Sequence, residues 1–178
     1  MSMEKLILVD EGDAVIGEME KLEAHQKGLL HRAFSVFIFN RKGETLLQKR
    51  AHSKYHSAGL WSNACCGHPR PGETTLDAAE RRLNEEMGIK CQLTETGAFT
   101  YKVNLDHSLV ENEVDHVFVG FYEGLIDPNP EEVQDYRWES LNTLSSNVHN
   151  NPHEYSEWLR IILDKHLNLL TLANEDFS

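Results

Sequence analysis

The chain has 178 residues and carries 17 Lys and Arg against 29 Asp and Glu, a formal net charge of −12. This length predicts one domain spanning 1–178, and 40% hydrophobic with 26% charged residues excludes a disordered or membrane-embedded composition. The acidic balance excludes non-specific nucleic-acid binding, which needs a basic surface, and the richest apolar stretch, 33–39, is too short to span a bilayer.

The first ten residues lack the pattern of a secretory signal. The cysteines are Cys65, Cys66 and Cys91. An odd count with two adjacent members reads as free thiols in a reducing, cytoplasmic setting. Residues 5–10 and 14–18 are predicted strands around a turn at 11–13. A short helix is predicted over 21–27. The nearly continuous apolar run 31–40 predicts a strand covered on both faces, and hence a layered α/β domain. A turn at 41–44 leads to a strand over 45–50, and 51–72 reads as loop. The clearest helix is Thr75–Met87, where Leu76, Ala79, Leu83 and Met87 recur on one face and Gly88 follows as a C-terminal cap. Strands are predicted over 99–104, 112–123 and 136–139, with a turn at 127–130, and a terminal helix over 154–170. Mixed strands with flanking helices make the class α/β or α+β.

The segment 67–89 carries the chemistry. Gly67 is followed after five residues by Glu73, then after seven by Arg81, and Glu85, Glu86, Gly88 and Ile89 complete the pattern. This resembles the Nudix box, whose helix carries carboxylates one turn apart that make an oxygen-rich nest for Mg²⁺. The position where the box has a glutamate after its arginine is Arg82 here, which removes a ligand and adds a cation. Cys66-Gly67-His68-Pro69 precedes the box. A Cys-Gly-His-Pro element before such an altered box resembles the type I isopentenyl diphosphate isomerases, over roughly residues 21–158. The resemblance implies a Nudix α/β/α sandwich with a mixed sheet. It also implies isomerisation of a small-molecule diphosphate, in place of hydrolysis.

Glu111 and Glu113 lie two apart on a predicted strand, so both point to one face. The resemblance implies that His25, His31, His68, Glu111 and Glu113 hold one Zn²⁺ or Mn²⁺, a donor set that suits such ions. It implies a second ion, Mg²⁺, carried by the substrate diphosphate and contacted by Glu86. Cys66 and Glu113 match the family's proton-transfer pair, Tyr101 a tyrosine that assists the carboxylate, and Trp158 a tryptophan facing a cationic intermediate. Lys21, Arg50, Lys54 and Arg82 match the diphosphate contacts. Histidines 52, 56, 107, 116, 149, 153 and 166 read as structural or surface residues. The rivals are a Nudix pyrophosphohydrolase, which Arg82 and Cys66 oppose, and a catalytically silent binding module. No membrane or nucleic-acid partner is expected, and a monomer is favoured over an oligomer.

Overall fold

The computed structural model describes residues 3–175. Nine strands among them form a curled mixed sheet: β1 (Lys5–Val9), β2 (Val15–Glu20), β3 (His31–Phe39), β4 (Glu44–Arg50), β5 (Trp61–Asn63), β6 (Cys65–Gly67), β7 (Leu93–Asn104), β8 (Val110–Phe121) and β9 (Val133–Ser140). The helices are α1 (Lys21–Lys27), α2 (Thr75–Met87), α3 (Leu141–Asn150), α4 (Glu157–Lys165) and α5 (Asn168–Glu175).

β3 is the axis of the sheet. One edge runs parallel to β8 along its whole length, from His31 opposite Glu113 to Phe39 opposite Phe121. The other edge is shared in turn by β1, β6 and β4, all antiparallel. The two-residue period of a strand then sorts its side chains. Phe34, Val36 and Ile38 pack beneath α2 with Ala79, Leu83, Met87 and Phe118. Phe37 and Phe39 pack on the other face with Val117, Val119, Leu144, Trp158 and Ile162. Both faces are covered, which is why the run looked continuously apolar.

α2 starts at Thr74, whose Oγ1 accepts the Asp77 N–H at 3.1 Å, and stops at Gly88 with φ 66°. Its buried face is Ala78, Ala79, Leu83, Glu86 and Met87, whereas Leu76 lies 40% exposed, outside the stripe expected of it. The loop before it is clamped by Arg81, which donates to both Glu73 oxygens at 2.7 and 3.0 Å. Gly67 is required by packing, since a Cβ there would stand 3.0 Å from the Phe34 ring.

Three expectations are corrected. The predicted loop 51–72 contains β5 and β6, three-residue strands too short to display alternation. Helix α3 was not expected, and the predicted strand over 99–104 begins at Leu93. The predicted helix 154–170 is broken: Tyr155 is extended and bridged to Trp61, and His166 leaves helical geometry between α4 and α5 while stacking on Phe99 at 4.3 Å. No helix among the described residues is long and apolar enough to cross a membrane.

Gly88→Ala should destabilise the protein by about 2 kcal/mol or more, because an L-residue resists the left-handed region. In addition, its Cβ would meet the Asp127 carbonyl oxygen at 2.7 Å. Thr74→Ala should cost only about 1 kcal/mol. Urea unfolding of both variants checks the order; equal losses would contradict it.

Candidate active site

The site forms where one apolar face of β8 turns acidic. Val119 and Val117 lie in the core, and the next residues on that face, Asp115, Glu113 and Glu111, are all buried. His31 opens β3 opposite Glu113. His25 comes from α1, which ends at the left-handed Gly28 and returns the chain so that the His25 and His31 rings lie 5.0 Å apart. His68 follows β6, its ring 5.0 Å from that of His31.

Backbone carbonyls set two tautomers. His25 Nδ1 lies 2.7 Å from the Lys21 oxygen and His31 Nδ1 lies 2.8 Å from the Leu29 oxygen. A carbonyl only accepts, so each Nδ1 carries the proton and each Nε2 presents a lone pair. One ligand atom from each of His25, His31, His68, Glu111 and Glu113 lies within 4.8 Å of all the others. His25 Nε2 and Glu111 Oε2 are buried without a hydrogen bond. Buried polar atoms left unpaired are costly, and an ion at the centre would satisfy them. Imidazoles with carboxylates fit a divalent metal ion.

The two glutamates cannot both ionise here. Burial and the Glu111 charge push Glu113 well above the usual carboxylate range. Burial acts on Glu111 too, but the Glu113 carboxyl, His25 and His56 around it hold it well below that range. Of the two, Glu113 is the one that holds a proton more readily. Burial pushes His31 down to about 4 and, with the His31 charge, pushes His68 far down. Burial works the same way on His25, but the Glu111 carboxylate 3.3 Å from its Nε2 leaves it raised.

Of the residues named from sequence, Tyr101 donates its hydroxyl to Glu113 Oε2 at 2.8 Å. Cys66 lines the same cleft of about 1310 Å³, while Cys65 points into the core beneath α2. The Cys66 thiol is pushed up to about 11 by burial, against the pull of Arg50, whose Nη1 lies 3.7 Å from Sγ. Trp158 donates Nε1–H to Asn63 Oδ1 at 3.1 Å, and the Arg50 guanidinium sits 5.2 Å from its ring centroid. Arg82 bridges Glu85 at 2.7 Å and Glu86 at 2.6 Å. Lys54 pairs with Glu86 at 3.4 Å and closely with Glu132. Gln48 donates to the other Glu86 oxygen at 2.8 Å. Lys21, which accepts from His25 through its carbonyl, pairs with Glu4 at 3.0 Å.

Sequence reasoning missed four residues. His56, read as structural or surface, is buried with Nε2 2.9 Å from Glu111 Oε1. It lies in an irregular loop with no period to mark it. Asp115 was legible as the third residue on the face of Glu111 and Glu113. Its Oδ2 accepts the Ser35 hydroxyl at 2.7 Å, and burial raises it to about 7. Asn63 and Glu132 reach the site through contacts far apart in sequence, Asn63 with Trp158 and Glu132 with Lys54 and Arg82. His116, by contrast, is structural: it links Asp13 of the first turn, at 2.8 Å, to Glu95 of β7.

The NUDIX domain family matches residues 29–160. An Aromatoleum aromaticum protein named isopentenyl-diphosphate Delta-isomerase 1 is 52% identical, with 91% of this chain and 92% of the relative aligned. A Serratia proteamaculans isopentenyl-diphosphate Delta-isomerase is 49% identical over 90% of this chain and 89% of its own. The chain belongs to the NUDIX family and, within it, to the isopentenyl-diphosphate Delta-isomerases. A solved Deinococcus radiodurans structure shares the fold, with TM-score 0.75 at 18% identity over 90% of this chain and 97% of that one. The isomerase membership accords with the altered box: the carboxylates three and four residues after Arg82 are charge-paired by it.

Asp115 gives a pH signature. Its carboxyl is raised in the folded state from 3.8 to about 7. Between those values the native protein holds a proton that the unfolded chain has lost, so this group lowers stability as pH rises. Asp115→Asn should therefore gain stability relative to the parent progressively from pH 4 to 7, then level off. Parallel urea titrations check this; a pH-independent difference would contradict it.

Proposed function

We propose that the protein interconverts isopentenyl diphosphate and dimethylallyl diphosphate, by adding a proton to one face of the substrate and removing one from another position. The observation that carries this reading is the placement of two proton-transfer groups on opposite edges of β3. Cys66 on β6 lies opposite Ser35, and Glu113 on β8 lies opposite His31. Both line one cleft with Tyr101 and Trp158. The names of the relatives, at 46–52% identity over about 90% of the chain, support the same reaction.

An alkene is a very weak base, so its protonation needs an acid held close in a site closed to water. Glu113 carries the proton, and the Tyr101 hydroxyl holds its second oxygen in place. The proton goes to the terminal alkene carbon, leaving a tertiary carbocation. The Trp158 ring attracts such a cation through its quadrupole, worth about 2 kcal/mol when desolvated. Cys66, once its thiol has given its own proton to solvent, then takes the proton from C2 as the thiolate, leaving Glu113 as the carboxylate. Burial makes its thiolate a strong base, and Arg50 offsets part of the cost of forming it. The reverse reaction exchanges the roles.

The cluster of His25, His31, His68, Glu111 and Glu113 would hold Zn²⁺ or Mn²⁺. Bound there, the ion would supply positive charge that displaces the proton Glu113 holds in the metal-free protein, so that a proton Glu113 takes up for delivery would be held weakly and given up readily. Lys21, Arg50, Lys54 and Arg82 would hold the diphosphate, Arg by its planar fork and Lys as a point charge. Glu86 would meet Mg²⁺ brought by the substrate, with a main-chain carbonyl near Cys66 beside it. The reading extends to a single-domain, monomeric, cytoplasmic enzyme of isoprenoid synthesis.

The pyrophosphohydrolase reading needs free box carboxylates, and Arg82 occupies them. With isopentenyl diphosphate in heavy water, the protein should place deuterium on carbon and release no phosphate. Cys66→Ser and Glu113→Gln should each lower turnover by about 10²–10⁴-fold or more, while Cys65→Ser retains most of it. Mass spectrometry with a phosphate assay checks this. Phosphate release matching substrate loss, without label on carbon, would return the protein to the hydrolases.

A further inference from the structure

The two glutamates of the cluster are held in matching ways. Glu113 turns Oε1 toward His31 and His68, at 3.3 and 2.9 Å, and gives Oε2 to the Tyr101 hydroxyl. Glu111 leaves Oε2 buried and unpaired, 3.8 Å from His31 Nε2, and gives Oε1 to His56 Nε2 at 2.9 Å. We propose that His56 is the positioning residue for Glu111, fixing the carboxylate by one oxygen so that the other faces the ion. The assignment rests on the reading of the His/Glu cluster as an ion site.

His56 is built for this task. Its Nδ1 lies 3.2 Å from the Ser57 hydroxyl, which can donate to it and leave the N–H on Nε2. A nitrogen that donates to Glu111 Oε1 has no lone pair for a metal, so His56 supports the cluster from outside. Its ring stands edge-on to Trp158, centroids 5.8 Å apart at 89°. Its backbone oxygen accepts from Arg50 Nη2 at 3.0 Å. Arg50 in turn anchors the base of the loop, its N–H donating to the Leu60 oxygen at 2.8 Å and its oxygen accepting from Gly59 at 2.9 Å. The same Arg50 touches the Cys66 thiol and the Trp158 face. One loop thus joins the diphosphate grip, the thiol and the ion cluster. Outer partners of metal-binding carboxylates and imidazoles fix their orientation, and losing one weakens metal binding by about 10–100-fold.

Zinc affinity, measured by competition with a chromogenic chelator, tests this without any turnover. His56→Ala should bind zinc about 10–100-fold more weakly than the parent. His56→Gln, whose amide N–H can reach Glu111 Oε1, should recover most of that loss. Unfolding of the metal-free forms tells whether each variant folds; should His56→Ala not fold, the Gln variant decides, and affinity near that of the parent supports the role. Parental affinity in folded His56→Ala, or equal loss in the Ala and Gln variants, would overturn it. Glu111→Gln separates the two readings: it should lose zinc severely. If it binds zinc as the parent does, or the parent binds none, the ion-site reading falls and takes the assignment with it.

Discussion

Everything in the site follows from burying carboxylates in a row on a strand face that is elsewhere core. Asp115, Glu113 and Glu111 continue the face of Val119 and Val117. Ionised carboxylates so placed are too expensive to leave alone. The fold answers each one differently. Ser35 donates to Asp115, Tyr101 donates to Glu113, and His25 and His56 face Glu111. Burial and the Glu111 charge raise Glu113, so that a proton there would relieve the remaining like-charge conflict in the metal-free protein. In the proposed reading, the same arrangement that makes the site tolerable without a metal also suits it to act as an acid. A carboxylic acid kept neutral by burial, beside a cluster suited to a cation, is what alkene protonation requires.

The positive groups answer to a parallel logic on the other side of the cleft. A chain of net charge −12 would repel a diphosphate at long range. Arg82 and Lys54 are instead stored on Glu85, Glu86 and Glu132, within reach of the cleft they line. In the proposed reading, a substrate carrying its own Mg²⁺ would offer both partners of these pairs a new counter-charge, so that the pairs could open without leaving charge unpaired. The arginine that occupies the carboxylates of the box would thereby be turned to binding.

How much of this was legible in the sequence depended on the range of the interaction. α2 was plain, because its cap, its apolar stripe and Gly88 are local features. The two-faced burial of β3 was also plain, since a strand covered on both sides must be apolar at every position. Glu111 and Glu113 could be placed on one face by the strand period alone. The histidines could not be joined to them by any spacing, because His25 and His68 come from separate elements that only the sheet curl brings together. β5 and β6 were lost because three residues cannot show a period. His56 was lost for a related reason: its meaning is a contact with Glu111 across the fold, and its own neighbours carry no trace of it. The break before α5 depends on His166 stacking against a distant Phe99.

The central claim is that Glu111 and Glu113 share one proton when no ion is bound, and that an ion takes its place. Calorimetric titration of the metal-free protein with zinc, repeated in buffers of different ionisation enthalpy, measures the protons released on binding. The account predicts release of at least about one proton per ion near neutral pH. Zinc binding that releases no proton from the protein would contradict it.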